Sequence, residues 1–201
     1  MDLPNSFVRT PLTALVLLGM TQGAQAGVID TTPPDSLSPY YALYAAAGGT
    51  FVADDTNLES FTLALNSAFS GNVVYTAIVM DTTPAGLPDS VLWEEQQTFP
   101  GGGGIVTRQS TPNLAITPGE TYFIGFEIGN GNLTTTGGSG EIELQLRSGN
   151  PIEGNWYQYD GDTWSNLGSN LDIASRIVMT PEPNSLALLG LGGLVVAWRR
   201  R

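Results

Sequence analysis

Residues Glu141 to Arg147 read EIELQLR. Ile142, Leu144 and Leu146 occupy alternate positions, and Glu141, Glu143, Gln145 and Arg147 fill the places between them. Side chains along a strand point in turn to opposite faces, so this spacing predicts a strand with one face in a core and one in water. The period recurs after the Thr117-Pro118-Gly119 turn in Tyr122, Ile124, Phe126 and Ile128, and again in Phe61, Leu63 and Leu65. Val73 to Met80 (VVYTAIVM) is apolar on both faces, as a strand packed between layers would be. Tyr40 to Ala46, Val91 to Glu94, Ile105 to Gln109, Trp156 to Tyr159 and Ile173 to Met179 are expected as further strands. No long segment repeats at helical spacing. The fold class expected is all-β: about nine short strands with Gly and Pro punctuation, forming a single jelly-roll-like β-sandwich.

The connectors are rich in turn formers: Asp81 to Asp89, Pro100 to Gly104 and Thr134 to Gly140. The run Gly101 to Gly104 is not followed by the Lys-Ser/Thr and helix of a phosphate loop, so it reads as a turn. Both ends of the chain differ from this middle. Arg9 precedes an apolar segment, Leu12 to Met20 (LTALVLLGM), and then Ala24-Gln25-Ala26. Small residues at the third and first positions before Gly27 make a signal-peptidase site, so a cleaved signal peptide is expected over 1–26.

At the other end, Thr180 to Arg201 reads TPEPNSLALLGLGGLVVAWRRR. Pro181 and Pro183 fix their own φ and hold Glu182 extended between them. An uncharged run of thirteen residues, Leu186 to Trp198, follows, and then Arg199, Arg200 and Arg201. Three arginines do not cross a bilayer cheaply and would keep the C-terminus cytoplasmic. The run is shorter than the ~17–25 residues of an ordinary spanning helix, which suits a temporary anchor. Tripeptide, apolar run and arginine cluster, in this order, resemble the PEP-CTERM sorting signal of exopolysaccharide-producing Gram-negative bacteria. The resemblance implies an exosortase, a membrane cysteine transpeptidase-like enzyme, that cuts at or near Pro181-Glu182-Pro183. It further implies an inner-membrane-anchored precursor, then release or re-anchoring at the outer surface or in the extracellular matrix. A plain C-terminal tail anchor behind a proline hinge is the alternative.

Between the ends, residues 27–179 suit one domain. It holds three arginines (Arg108, Arg147, Arg176), no lysine and seventeen acidic residues, a net charge of about −14. Such a surface excludes nucleic acid and anionic lipid as partners and suits cations or neutral sugars. No cysteine or histidine occurs, which removes disulfides, a Cys nucleophile, a Ser-His-Asp site and Cys/His zinc ligation. DTTPAGLPDSVLWEE and LAITPGETYFIGFEI together resemble secreted β-sandwich domains of the choice-of-anchor type, through Asp81, Gly86, Pro88, Leu92, Pro118, Gly119, Tyr122 and Ile124. The resemblance implies a sandwich and marks strands and turns.

Three candidate chemistries remain. Asp54 with Asp55, or Asp160 with Asp162, supply hard oxygens for Ca²⁺, although Asp pairs in turns are more often turn formers. No other cofactor is expected. Trp156, Tyr157, Tyr159 and Trp164 (NWYQYDGDTW) form the densest aromatic stretch, a hairpin turning at Asp160-Gly161. Exposed, its rings would stack on pyranose faces as a glycan platform; covered, they would fill the core. A glycosidase would need two carboxyls in distinct environments, and nothing in the sequence singles out a pair. The expected role is therefore non-enzymatic: an exported surface or matrix protein, with a carbohydrate-binding module for exopolysaccharide as the alternative and a carboxylate-dependent glycan hydrolase behind it.

Overall fold

The computed structural model of the protein describes residues 27–31, 37–42, 45–68, 70–128, 133–134, 142–148, 154–168 and 171–181. The expected signal peptide (1–26), Glu182 and Pro183, the apolar run and the terminal arginines lie outside these residues. Fourteen strands occur among the described residues. They begin with β1 (Gly27–Asp30), β2 (Leu37–Ala42), β3 (Ala46–Val52), β4 (Asn57–Asn66), β5 (Asn72–Thr82), β6 (Pro88–Pro100) and β7 (Val106–Ser110). After these come β8 (Leu114–Ala115), β9 (Thr121–Glu127), β10 (Ile142–Ser148), β11 (Trp156–Tyr159), β12 (Trp164–Gly168), β13 (Leu171–Ile173) and β14 (Ser175–Thr180).

They form two antiparallel sheets packed as a sandwich. One runs β1-β14-β4-β10-β13, with β2 added on β10 and β7 and β8 added on β4; the other runs β12-β11-β3-β9-β5-β6. The alternating residues read from the sequence fill the space between the sheets. Phe61, Leu63 and Leu65 of β4, Ile142, Leu144 and Leu146 of β10, and Ile177 and Met179 of β14 come from the first sheet. Phe51, Tyr75, Val79, Ile124, Phe126 and Trp156 come from the second. Phe61 meets the Trp93 ring edge-on at 6.0 Å, tying the edge strand β6 to the core.

Several expectations about single strands need correction. Tyr40 to Ala46 is not one strand: β2 ends at Ala42 in the first sheet, and β3 starts at Ala46 in the second. The apolar run YALYAAA has no breaker to mark that crossing, and Gly48-Gly49, which resembles a stop, lies inside β3. Val91 to Glu94 extends to the thirteen residues of β6, whose outward Glu95, Gln96 and Thr98 suit an edge strand and whose terminal prolines such a strand tolerates. Ile173 to Met179 divides at Ala174 between β13 and β14. Two residues expected on a wet face of β10 are not in water either. Glu143 and Gln145 are buried, because β10 is an interior strand with β2 on one side and β4 and β13 on the other. The Glu143 Oε2 accepts the Asn66 amide at 2.6 Å.

The outward face of the second sheet carries its own apolar cluster: Ile78, Met80, Phe123 and Tyr157, with Val91 and Trp164 packed against it. Gly48 and Gly125 stand opposite each other in the β3–β9 register beneath it. A Cβ on Gly48 would lie 2.5 Å from the Phe123 Cζ and one on Gly125 2.8 Å from it, so the bare backbones are the seat of that ring. The sheets are joined through the glycine run, where Gly102, Gly103 and Gly104 all have φ near +100° and the Gly102 and Gly103 amides donate to the Ser67 carbonyl.

Candidate functional sites

The aromatic hairpin forms as the sequence suggests, β11 turning through Asp160-Gly161 into β12. The Asp160 Oδ1 accepts the Asp162 and Thr163 amides at 2.9 and 2.8 Å, and Gly161 takes φ +108°. The Thr163 and Asp162 amides hold the Asp160 carboxyl below its ordinary value. The four aromatic residues do not share an open face. Trp156 points into the main core at 4% exposure. Tyr157 points the other way but is 1% exposed beneath the outer cluster; its hydroxyl accepts the Asn166 amide at 3.3 Å, and burial pushes its phenol up. Only Tyr159 and Trp164 keep partial exposure. Their rings lie 5.1 Å apart, and Trp164 is edge-on to Phe123 at 5.0 Å. Gln158, a polar neighbour of the expected platform, is also buried.

One aspartate of each pair accepts backbone amides. Asp160 caps its own turn, and the Asp55 Oδ2 accepts the Gly27 amide at 3.1 Å. Among the described residues no group of three or more acidic side chains is gathered for a metal ion.

A cavity of about 340 Å³ was not foreseen. It lies where the β5–β6 turn meets the β8–β9 turn, and Thr82, Thr83, Pro84, Gly86, Glu120 and Thr121 line it. The Thr82 hydroxyl donates to the Thr121 carbonyl at 2.9 Å and pins the two turns together. These turns belong to the two separate segments that carry the choice-of-anchor resemblance. Their shared signal was a glycine one or two residues after a proline, at Gly119 and Gly86, each with φ near +80°.

The start of β1 and the end of β14 meet at one corner. In the antiparallel β1–β14 register Gly27 faces Met179. The β3–β4 turn and the start of β4 touch both strands: Asp55 accepts from Gly27, and the Asn57 Nδ2 donates to the Thr180 hydroxyl at 3.1 Å. Asp30 and Arg176, 3.6 Å apart, close the far end of β1. Pro181 leaves from this corner. The family model of the PEP-CTERM protein-sorting motif matches residues 180–201. No curated protein matches the chain.

Proposed function

Since residues 180–201 carry a PEP-CTERM protein-sorting motif, we propose that the chain is an exported, non-enzymatic envelope or matrix protein sorted alongside exopolysaccharide. The matched segment is the observation that carries this reading. In it, signal peptidase removes 1–26, the Leu186 to Trp198 run holds the precursor in the inner membrane, and exosortase acts at Pro181-Glu182-Pro183. The strongly acidic domain suits a soluble, cation-attracting component of a hydrated matrix. Glu182→Ala tests the reading: a precursor retaining its C-terminal segment should accumulate in the inner membrane. Normal processing of that variant, read by intact mass, would leave only a tail anchor.

One observation favours the second reading, a carbohydrate-binding module. Tyr159 and Trp164 keep partial exposure on adjacent strands, beside the exposed Asp160 and Asp162. Rings flanked by hydrogen-bonding groups are what a pyranose face recognises. Trp164→Ala should then abolish retention on the native exopolysaccharide; undiminished retention removes this reading.

A further inference from the structure

The β3–β4 turn and the first residue of β4 hold the start of β1 and the end of β14. Asp55 accepts the backbone N–H of Gly27 at 3.1 Å, and Asn57, two residues on, donates to Thr180, the last residue before the sorting tripeptide. The space around Gly27 is acidic on one side and apolar on the other. A Cβ built there would lie 3.3 Å from the Asp55 Oδ2 and 3.7 Å from both the Asp54 Cβ and the Met179 Cε. The carboxylate that meets it is that of Asp55, with the Asp54 Cβ beside it, while β14 presents Met179.

If signal peptidase cuts after Ala26, as the proposed function holds, the atom bound to Asp55 changes its chemistry. A peptide N–H with no charge becomes an α-ammonium, because hydrolysis of the Ala26–Gly27 bond leaves the carboxylate on Ala26 and the protonated amine on Gly27. We propose that Asp55 is the built receptor for this new N-terminus, and that signal-peptide removal locks β1 onto the β3–β4 turn through an ion pair the precursor lacks. A charge-assisted hydrogen bond is roughly twice as strong as a neutral one. Two residues beyond Asp55, Asn57 donates to Thr180, so the first processing event stiffens the base from which the second substrate segment departs.

The absence of lysine makes this directly measurable, since the mature chain would hold a single primary amine, at Gly27. The protein is purified from the exporting cell after processing, and its N-terminus is read by intact mass. Acetylation of that amine is then followed against pH for wild type and Asp55→Asn. Pairing should raise the amine's pKa above the ordinary ~7.7–8.0. A shift of about one unit slows acetylation at pH 7 about tenfold relative to Asp55→Asn. Acetylation should also lower Tm by about 2–4 °C in wild type and by less in the variant. A mature N-terminus other than Gly27 would defeat the cleavage reading and the receptor together. A Gly27 N-terminus with the same pH profile in both proteins would defeat the receptor alone.

Discussion

Two neighbouring glycines in β3 should respond oppositely to the same methyl group. A Cβ on Gly48 would lie 2.1 Å from the Ile124 carbonyl oxygen and 2.6 Å from the Gly125 Cα, both backbone atoms of β9. Neither atom can swing aside, so Gly48→Ala must push β3 and β9 apart by roughly 1 Å, which takes a ~2.9 Å ladder bond past hydrogen-bond range. Each bond lost costs about 0.5–1.5 kcal/mol and overpacking itself about 1–3 kcal/mol, so a total near 3 kcal/mol is expected. For a domain of this size that lowers Tm by about 6–12 °C. A Cβ on Gly49 instead meets only Ile173 side-chain atoms, at 3.2–3.4 Å. Ile173 can shift by a few tenths of an ångström, and the alanine restricts the unfolded chain, which returns about 0.4–1 kcal/mol. Gly49→Ala should therefore stay within about 4 °C of wild type. Thermal unfolding followed by circular dichroism separates the two. Equal losses, or a Gly48→Ala protein as stable as wild type, would refute the close approach of β3 and β9 beneath Phe123.

Trp156→Ala, emptying a core site, should cost about 3–5 kcal/mol, whereas Trp164→Ala, partly exposed, should cost much less; chemical denaturation of both variants checks the order. Tyr75 predicts alkaline lability. Burial pushes its phenol far above the ordinary value of 10.0, against a smaller opposing pull from Arg108, while its hydroxyl donates to the Gln97 Oε1 at 2.7 Å. With the folded pKa raised, this stabilisation is complete below pH 10 and is lost as pH climbs above it, because only the unfolded chain ionises readily. Tm should therefore fall above about pH 10, and less steeply in Tyr75→Phe; parallel curves for the two proteins would count against Tyr75 as the cause.

The fold class was readable because alternation survives wherever one strand face is core, as in Phe61, Leu63 and Leu65 or Tyr122, Ile124 and Phe126. It misled at Glu143 and Gln145, where position in the sheet rather than residue polarity decides exposure. It was silent on β1, whose GVID is too short to show a period, and on the change of sheet between Ala42 and Ala46. The sorting segment was legible because its meaning lies in local order. The aromatic hairpin was legible only as a hairpin, since which ring is covered depends on Gly48 and Gly125, far away in sequence. The corner shared by Gly27, Asp55, Asn57 and Thr180 depends on a contact across some 150 residues, and no spacing rule encodes it.

The strand that leads into the sorting segment is not an edge strand. β14 runs between β1 and β4, paired to β4 from Ser175 to Thr180 and to β1 over Gly27 to Asp30. On the proposed reading, with the chain held at a surface through Pro181, drag from flow or from a neighbouring cell would be felt along that attachment. Tension drawn out through Pro181 acts along β14, so two ladders share the load in shear and must slip together. An outermost strand pulled from the side would instead peel away one bond at a time. The placement of so slight a strand as β1 then acquires a mechanical meaning: four residues turn the load-bearing strand from a border into an interior one.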